Sequence, residues 1–246
     1  MRRASATRRH SFDIIYKTIE MGMNPILKRT LTGLAVGGGV ICAILLLPVD
    51  VFPWAVGVLI ALALCEYVLL LKTKVPLLSA KGGVMLALGA YVIAFGLWSL
   101  SRIAVTYGNL MLLYVVAVVK FSDVGGFAFG LTSAKLMKGG NHKLCPSISP
   151  NKSWEGLAGS VFASCLVSCC FMGGTHFGIV KSLVCGVTAA LVGTFGDLVE
   201  SKFKRWVGVK DSSTLKITNG MGGFLDMFDS LLFAPAVIYI LMGIKF

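Results

Sequence analysis

Seven apolar runs, at roughly 31–48, 53–71, 83–100, 108–130, 156–173, 178–199 and 221–243, occupy most of this chain. A helix needs about 20 apolar residues to cross a bilayer. A segment in lipid must also satisfy its own backbone hydrogen bonds, which a helix does and an open strand does not. The runs therefore predict an all-α fold, a polytopic transmembrane helix bundle of about 7 to 9 spans. The range allows for two compound runs, the fourth broken by Lys120, Ser122 and Asp123 and the last by Asp226 and Asp229. Composition agrees, since 14% of residues are charged and 56% hydrophobic, against about 25% charged in a soluble domain.

The net charge of +12 reads as topogenic, with no nucleic-acid partner implied. Nineteen of the 23 Lys and Arg residues fall on one side when the spans are threaded alternately. They cluster before the first run, at Lys72, Lys74 and Lys81, between Lys135 and Lys152, and between Lys202 and Lys216. The positive-inside rule then puts the N-terminus in the cytoplasm and a polar catalytic cavity on the cytoplasmic face. Residues 1–30 are basic and lack an apolar core, so they predict a flexible cytosolic tail, with Met21 and Met23 as alternative starts. Residues 31–246 form one transmembrane catalytic domain in this reading. The seven cysteines show no CxxC or Cys/His spacing and read as small buried hydrophobes.

Only eleven residues are acidic, and Asp123, Asp197, Asp226 and Asp229 lie in or at the ends of apolar runs. Carboxylates at such positions are costly unless compensated by a metal, a basic partner or water. Asp226 and Asp229 are three apart and share a helix face. Joined by Asp197 they would make a hard oxygen site suited to Mg²⁺. Helix-to-helix salt bridges, or a proton path in a transporter, account for the same spacing. The loop between them supplies Ser201, Lys204, Arg205 and Lys210 as phosphate donors. Gly220, Gly222 and Gly223 allow close backbone approach ahead of the last helix. A purely topogenic basic loop is the plainer account of those cations. A second polar segment ends in SPNKSWEG, where Lys152 and Glu155 stand at the mouth of the fifth run and Ser149 or Ser153 can cap it.

SKFKRWVGVKDSSTLKITNGMGGFLDMFDS, from Ser201 to Ser230, closely resembles the signature of the phosphatidate cytidylyltransferase (CDP-diacylglycerol synthase) family. That signature runs Ser-x-x-Lys-Arg, four residues, Lys-Asp, then a Gly-Gly-x-x-Asp-x-x-Asp close. SDVGGFAFG and ISPNKSWEG resemble the family's two upstream blocks, so the specific part of the likeness spans about 110–246. Met221 stands where the family usually has His, and Met227 where it usually has Arg between the closing acids.

The resemblance implies transfer of a cytidylyl group from CTP to phosphatidate, giving CDP-diacylglycerol and diphosphate in phospholipid biosynthesis. It implies Asp197, Lys210, Asp211, Asp226 and Asp229 as catalytic residues, with Asp197, Asp226 and Asp229 holding Mg²⁺, and room for a second, monovalent cation. Asp123, Lys152, Ser201, Lys204, Arg205, Gly222 and Gly223 would bind substrate. Membrane lipids and a second copy of the chain, as a homodimer, are the implied partners, and a bacterial inner membrane the implied location. Two other readings fit parts of the pattern: a CTP-dependent lipid kinase, and a transporter with an intramembrane acidic site.

Overall fold

The computed structural model describes residues 37–138, 140–209 and 223–244. The chain divides into two units, Met1–Ala43 and Ile44–Phe246. The expected tail at 1–30 lies outside the described residues, as do Lys210, Asp211, Met221 and Gly222.

A short apolar helix, α1, covers Gly37–Leu46. Pro48 and a 3-10 turn at Val49–Val51 redirect the chain into α2, Phe52–Lys72, which starts with a proline where no backbone donor is needed. The helix α3, Ala80–Tyr107, is capped by Ser79, whose Oγ accepts the Gly82 amide at 3.0 Å. Gly108 then takes φ 88°, a conformation that side chains disfavour, and α4 begins at once as Asn109–Leu136. The sequence placed a loop around Arg102, but the residue lies inside α3, because one glycine suffices for the reversal.

The next difference is a hairpin in the polar segment that ends in SPNKSWEG. β1, Lys143–Cys145, pairs antiparallel with β2, Ser149–Ser153, with Lys143 opposite Ser153. It is a small exception to an otherwise helical protein. Three-residue strands carry too little alternation to be read from sequence. Strand β2 runs directly into α5, Trp154–Cys170, capped by Ser153 Oγ on the Gly156 amide at 3.1 Å. One turn at Met172–Thr175 leads to α6, Ile179–Val207, closed by Gly208 at φ 91°. This helix runs eight residues past the expected end at 199. The last apolar run is broken into α7, Phe224–Phe228, a 3-10 turn at Ser230–Leu232, and α8, Ala234–Gly243.

Among the described residues, four helical segments are long and apolar enough to cross a membrane: Val49–Lys72, α3, α4 and α6. α1, α5 and the Ser230–Gly243 segment are shorter and apolar. At 28 or 29 residues and 1.5 Å per residue, α3, α4 and α6 each reach about 42 Å, against a hydrocarbon core of about 30 Å. Each is thus longer than a hydrocarbon core requires, and the polar ends of α4 and α6 lie at the end of the bundle where the hairpin lies.

Helices meet through small residues and buried hydrogen bonds, as expected where lipid removes the hydrophobic drive. α4 and α5 pack along a seam of glycines. A Cβ on Gly156 would sit 3.0 Å from Gly126 O, and one on Gly159 would sit 2.8 Å from Gly125 O. Tyr114 shares a hydrogen bond of 2.8 Å with Ser168, which in turn donates to Ser182 O at 2.7 Å. Leu97, Ile103, Val115, Val118, Val119 and Ile238 are fully enclosed around them. Large apolar side chains such as Trp54, Leu88 and Phe127 are exposed and suit contact with lipid. The cysteines follow the same division. Only Cys185 is buried, while Cys42, Cys65 and Cys170 are exposed and the others half-buried. This corrects the expectation of seven buried thiols, because a small apolar side chain serves equally well against lipid.

Candidate active site

One face of α6 builds the site. Gly193, Gly196, Asp197, Glu200 and Lys204 recur at spacings of three and four, so they line a single stripe. The segment from Gly223 to Phe233 lies against that stripe. A Cβ on Gly196 would stand 2.9 Å from Asp229 O and 2.7 Å from Phe233 Cδ2, and one on Gly193 would stand 3.7 Å from Ser230 Cβ. The glycines are what allow the segment so close.

The approach creates two carboxylate pairs. The Asp197 and Asp229 side chains are within hydrogen-bonding reach of each other, and so are those of Glu200 and Asp226. Both segments space their acids by three, and they pair in antiparallel order. The result is two rungs about one helical turn apart. Glu200 was not among the expected site residues, although its spacing from Asp197 repeats that of Asp226 and Asp229.

Each rung carries its own lysine. Lys204 Nζ donates to Asp226 Oδ1 at 2.7 Å and Glu200 Oε2 at 3.1 Å, with 14% of the lysine side chain, 16% of Asp226 and 6% of Glu200 exposed. Asp226 Oδ2 also accepts the Gly223 amide at 2.9 Å. The other rung is served from the hairpin, where Lys152 of β2 donates to Asp197 Oδ2. Ser153 and Gly156 hold the strand-to-helix junction, so cap and lysine are placed by the same two residues.

Further groups fix the 223–230 segment from other helices. Glu66 of α2, fully buried, accepts the Leu225 amide through Oε2 at 2.7 Å. This gives the buried acid of the second apolar run a partner 159 residues away. Lys120 of α4 donates to Met227 O at 3.2 Å, Ser230 Oγ at 3.1 Å and Asp123 Oδ2 at 3.4 Å. Ser230 Oγ donates to Asp123 Oδ2 at 2.9 Å. Glu66, Lys120 and Ser230 were missed as site residues. A charge inside an apolar run was the available signal for the first two.

A cavity of about 260 Å³ opens beside the Asp197 rung, lined by Asp123, Thr194 and Asp197, by Asn151, Lys152 and Ser153, and by the first turn of α5. The structure thus brings together Asp123, Lys152, Asp197 and Asp229, and sets Lys204 and Asp226 in the neighbouring rung. Ser201, Lys204 and Arg205 were expected in a loop and instead occupy the last two turns of α6. Ser201 is half-buried there and Arg205 exposed. Gly223 is buried immediately before α7.

At the hairpin's outer edge His142 Nδ1 meets Glu155 Oε1 at 2.6 Å, and the His142 amide donates to both Glu155 oxygens at 3.1 and 3.2 Å. The imidazole hydrogen bond holds the Glu155 carboxyl down at about 2. This contact ties the start of the hairpin to the first turn of α5.

Among the described residues no three His, Cys, Asp or Glu side chains gather as a metal site. Two carboxylates in mutual contact, however, must share a proton or a cation. Mg²⁺ is commonly held by one or two carboxylates, with water and substrate phosphate completing its shell. The Asp197–Asp229 rung, beside an open cavity, has the donor chemistry for that arrangement.

Residues 28–245 match the cytidylyltransferase family. The phosphatidate cytidylyltransferase of Staphylococcus aureus (strain COL) is 36% identical over 231 residues, covering 90% of this chain and 83% of that protein. That of Staphylococcus saprophyticus is 34% identical over 239 residues, with the same coverage. That of Staphylococcus epidermidis (strain ATCC 35984) is 40% identical over 137 residues, 55% of this chain and 50% of that protein.

Proposed function

Because the chain belongs to the cytidylyltransferase family, we infer that the paired acids and their lysines are the catalytic centre of a phosphatidate cytidylyltransferase. The enzyme converts CTP and phosphatidate to CDP-diacylglycerol and diphosphate. The observation that carries the placement is the Asp197–Asp229 rung. It sets two carboxylates and Lys152 beside a cavity at the polar end of long apolar helices.

In the reaction an oxygen of the lipid phosphate forms a bond to the α-phosphorus of CTP. The bond from that phosphorus to the bridging oxygen breaks, and its electron pair leaves with diphosphate. A phosphomonoester is already largely dianionic near neutral pH, with a second pKa of about 6, so the chain need not supply a strong base. The difficulty is to bring two anions together, which fixed cations relieve. Asp197 and Asp229, with Asp226 in the next rung, would hold Mg²⁺, which supplies charge neutralisation of the phosphate oxygens when bound. Lys152 lines the cavity and donates to Asp197, so the same ammonium meets a phosphate entering there. Ser201, Lys204 and Arg205 on the end of α6, with Gly222 and Gly223 ahead of α7, complete the substrate-binding set, and Lys210 and Asp211 join the catalytic one. Asp123 orients Ser230 and, through it, the turn that carries Asp229.

The protein is a helical membrane protein. Within this reading all seven apolar segments cross the bilayer of a bacterial inner membrane, with the N-terminus and the cavity cytoplasmic, the lipid tails between helices, and two copies of the chain forming a dimer. The test is transfer of label to phosphatidate by purified protein with Mg²⁺. Label from α-phosphate-labelled CTP enters lipid if the reading holds. Entry from γ-labelled CTP alone would mean a lipid kinase. No entry from either would leave the acids to a transport path.

A further inference from the structure

Lys120 is a cation in the interior of α4, a helix of 28 residues, where a charge is expensive unless used. Its ammonium group has three acceptors in three different places. One is a backbone carbonyl, Met227 O, one a hydroxyl, Ser230 Oγ, and one a carboxylate, Asp123 Oδ2. Met227 and Ser230 flank Asp229, so the two contacts bracket the acid that meets Asp197. Ser230 Oγ returns a hydrogen bond to Asp123 Oδ2 at 2.9 Å, closing a ring of Lys120, Asp123 and Ser230. The bracketed stretch needs such a hold. It is the joint between α7, five residues long, and a three-residue 3-10 turn. Helical pieces that short do not support themselves. The charge of Lys120 also lies against the Asp123 carboxylate at 3.4 Å, which offsets the repulsion between that acid and its neighbours.

We propose that Lys120 is a positioning residue that clamps the 227–230 turn onto α4 and so aims the Asp229 carboxylate at Asp197. Its contact at position 227 is to the backbone, so the clamp works with a methionine side chain there. The link to catalysis rests on the reading of the Asp197–Asp229 rung given above; the clamp itself does not.

The test compares wild type with Lys120→Met, which removes the charge and all three donated bonds from a lipid-compatible side chain, and with Lys120→Arg, which keeps a cationic donor. Hydrogen exchange of the 227–232 amides is measured by mass spectrometry in detergent, together with transfer from α-labelled CTP. Exchange at 227–232 rises in Lys120→Met, with α6 and the α4–α5 seam unchanged. Turnover falls about 100-fold, the scale of a misplaced reacting group, while KM for CTP and for phosphatidate stays within about threefold. Lys120→Arg restores both readouts most of the way. Lower turnover with unaltered exchange would overturn the clamp, as would faster exchange with full turnover. A rise in KM matching the loss would make Lys120 a substrate-binding group. Should Lys120→Met not yield a monodisperse protein, Lys120→Gln carries the same comparison. If wild type transfers no label, the catalytic reading fails, and the exchange data still decide whether Lys120 holds the turn.

Discussion

The two carboxylate rungs use the same chemistry in different surroundings. The Glu200–Asp226 rung is closed. Its lysine comes from the same helix four residues on, its acids are nearly enclosed, and one carboxylate oxygen is taken by the Gly223 amide. The Asp197–Asp229 rung borders the cavity, and its lysine arrives from a hairpin 45 residues distant in sequence. One rung has its cation on its own helix, and the other takes its cation from the hairpin beside the cavity.

This contrast sets what each substitution does. The largest effect is expected at the open rung. Asp197→Asn or Asp229→Asn should lower α-label transfer at least about 1,000-fold, the upper range for losing a group that stabilises developing charge, with the protein still monodisperse in detergent. Normal activity in both would remove the open rung from the mechanism.

The lysines separate the rungs next. Lys204→Met removes the ammonium held between two largely enclosed carboxylates and should destabilise the protein by about 3 kcal/mol, seen as a lower unfolding midpoint. Lys152→Met, at a pair less enclosed than that of Lys204, should cost less stability than Lys204→Met while reducing activity. Equal stability losses in the two variants would erase the distinction.

Gly196→Ala tests the close approach that creates both rungs. Its Cβ must displace Asp229 O and the Phe233 ring, at about 1–3 kcal/mol for overpacking. Activity should fall with stability here, since the same shift moves Asp229.

The smallest effect is at the hairpin edge. Glu155 titrates at about 2, below its ordinary 4.5. A lowered carboxyl pKa contributes stability that is complete above the ordinary value and lost as pH falls through the folded one. The unfolding midpoint of Glu155→Gln should therefore lie slightly below wild type at pH 6, and the gap should close on approach to pH 2. A gap independent of pH would mean that the His142 contact does not set this carboxyl.

Much of the molecule was legible as sequence. The apolar runs predicted every long helix, because hydropathy over 20 residues is a local property that lipid reads directly. The acids at the run ends pointed to Asp123, Asp197, Asp226 and Asp229, which the structure sets on neighbouring elements, while Lys210, Asp211 and Gly222 lie outside the described residues. Other features were hidden for definite reasons. The hairpin strands are too short to show a period. α6 continues past its apolar part because Ser201, Lys204 and Arg205 are compatible with a helix, so hydropathy marked the end of the apolar stretch and not the helix end.

The sequence alone therefore determined the class of protein and the family, both of which depend on residue type and spacing along the chain. Only the tertiary structure decided which charges meet. Lys120 reaches Met227 and Ser230 across 107 and 110 residues, and Glu66 reaches Leu225 across 159. Such pairings depend on how closely helices approach, and here glycine positions on α4, α5 and α6 set that approach.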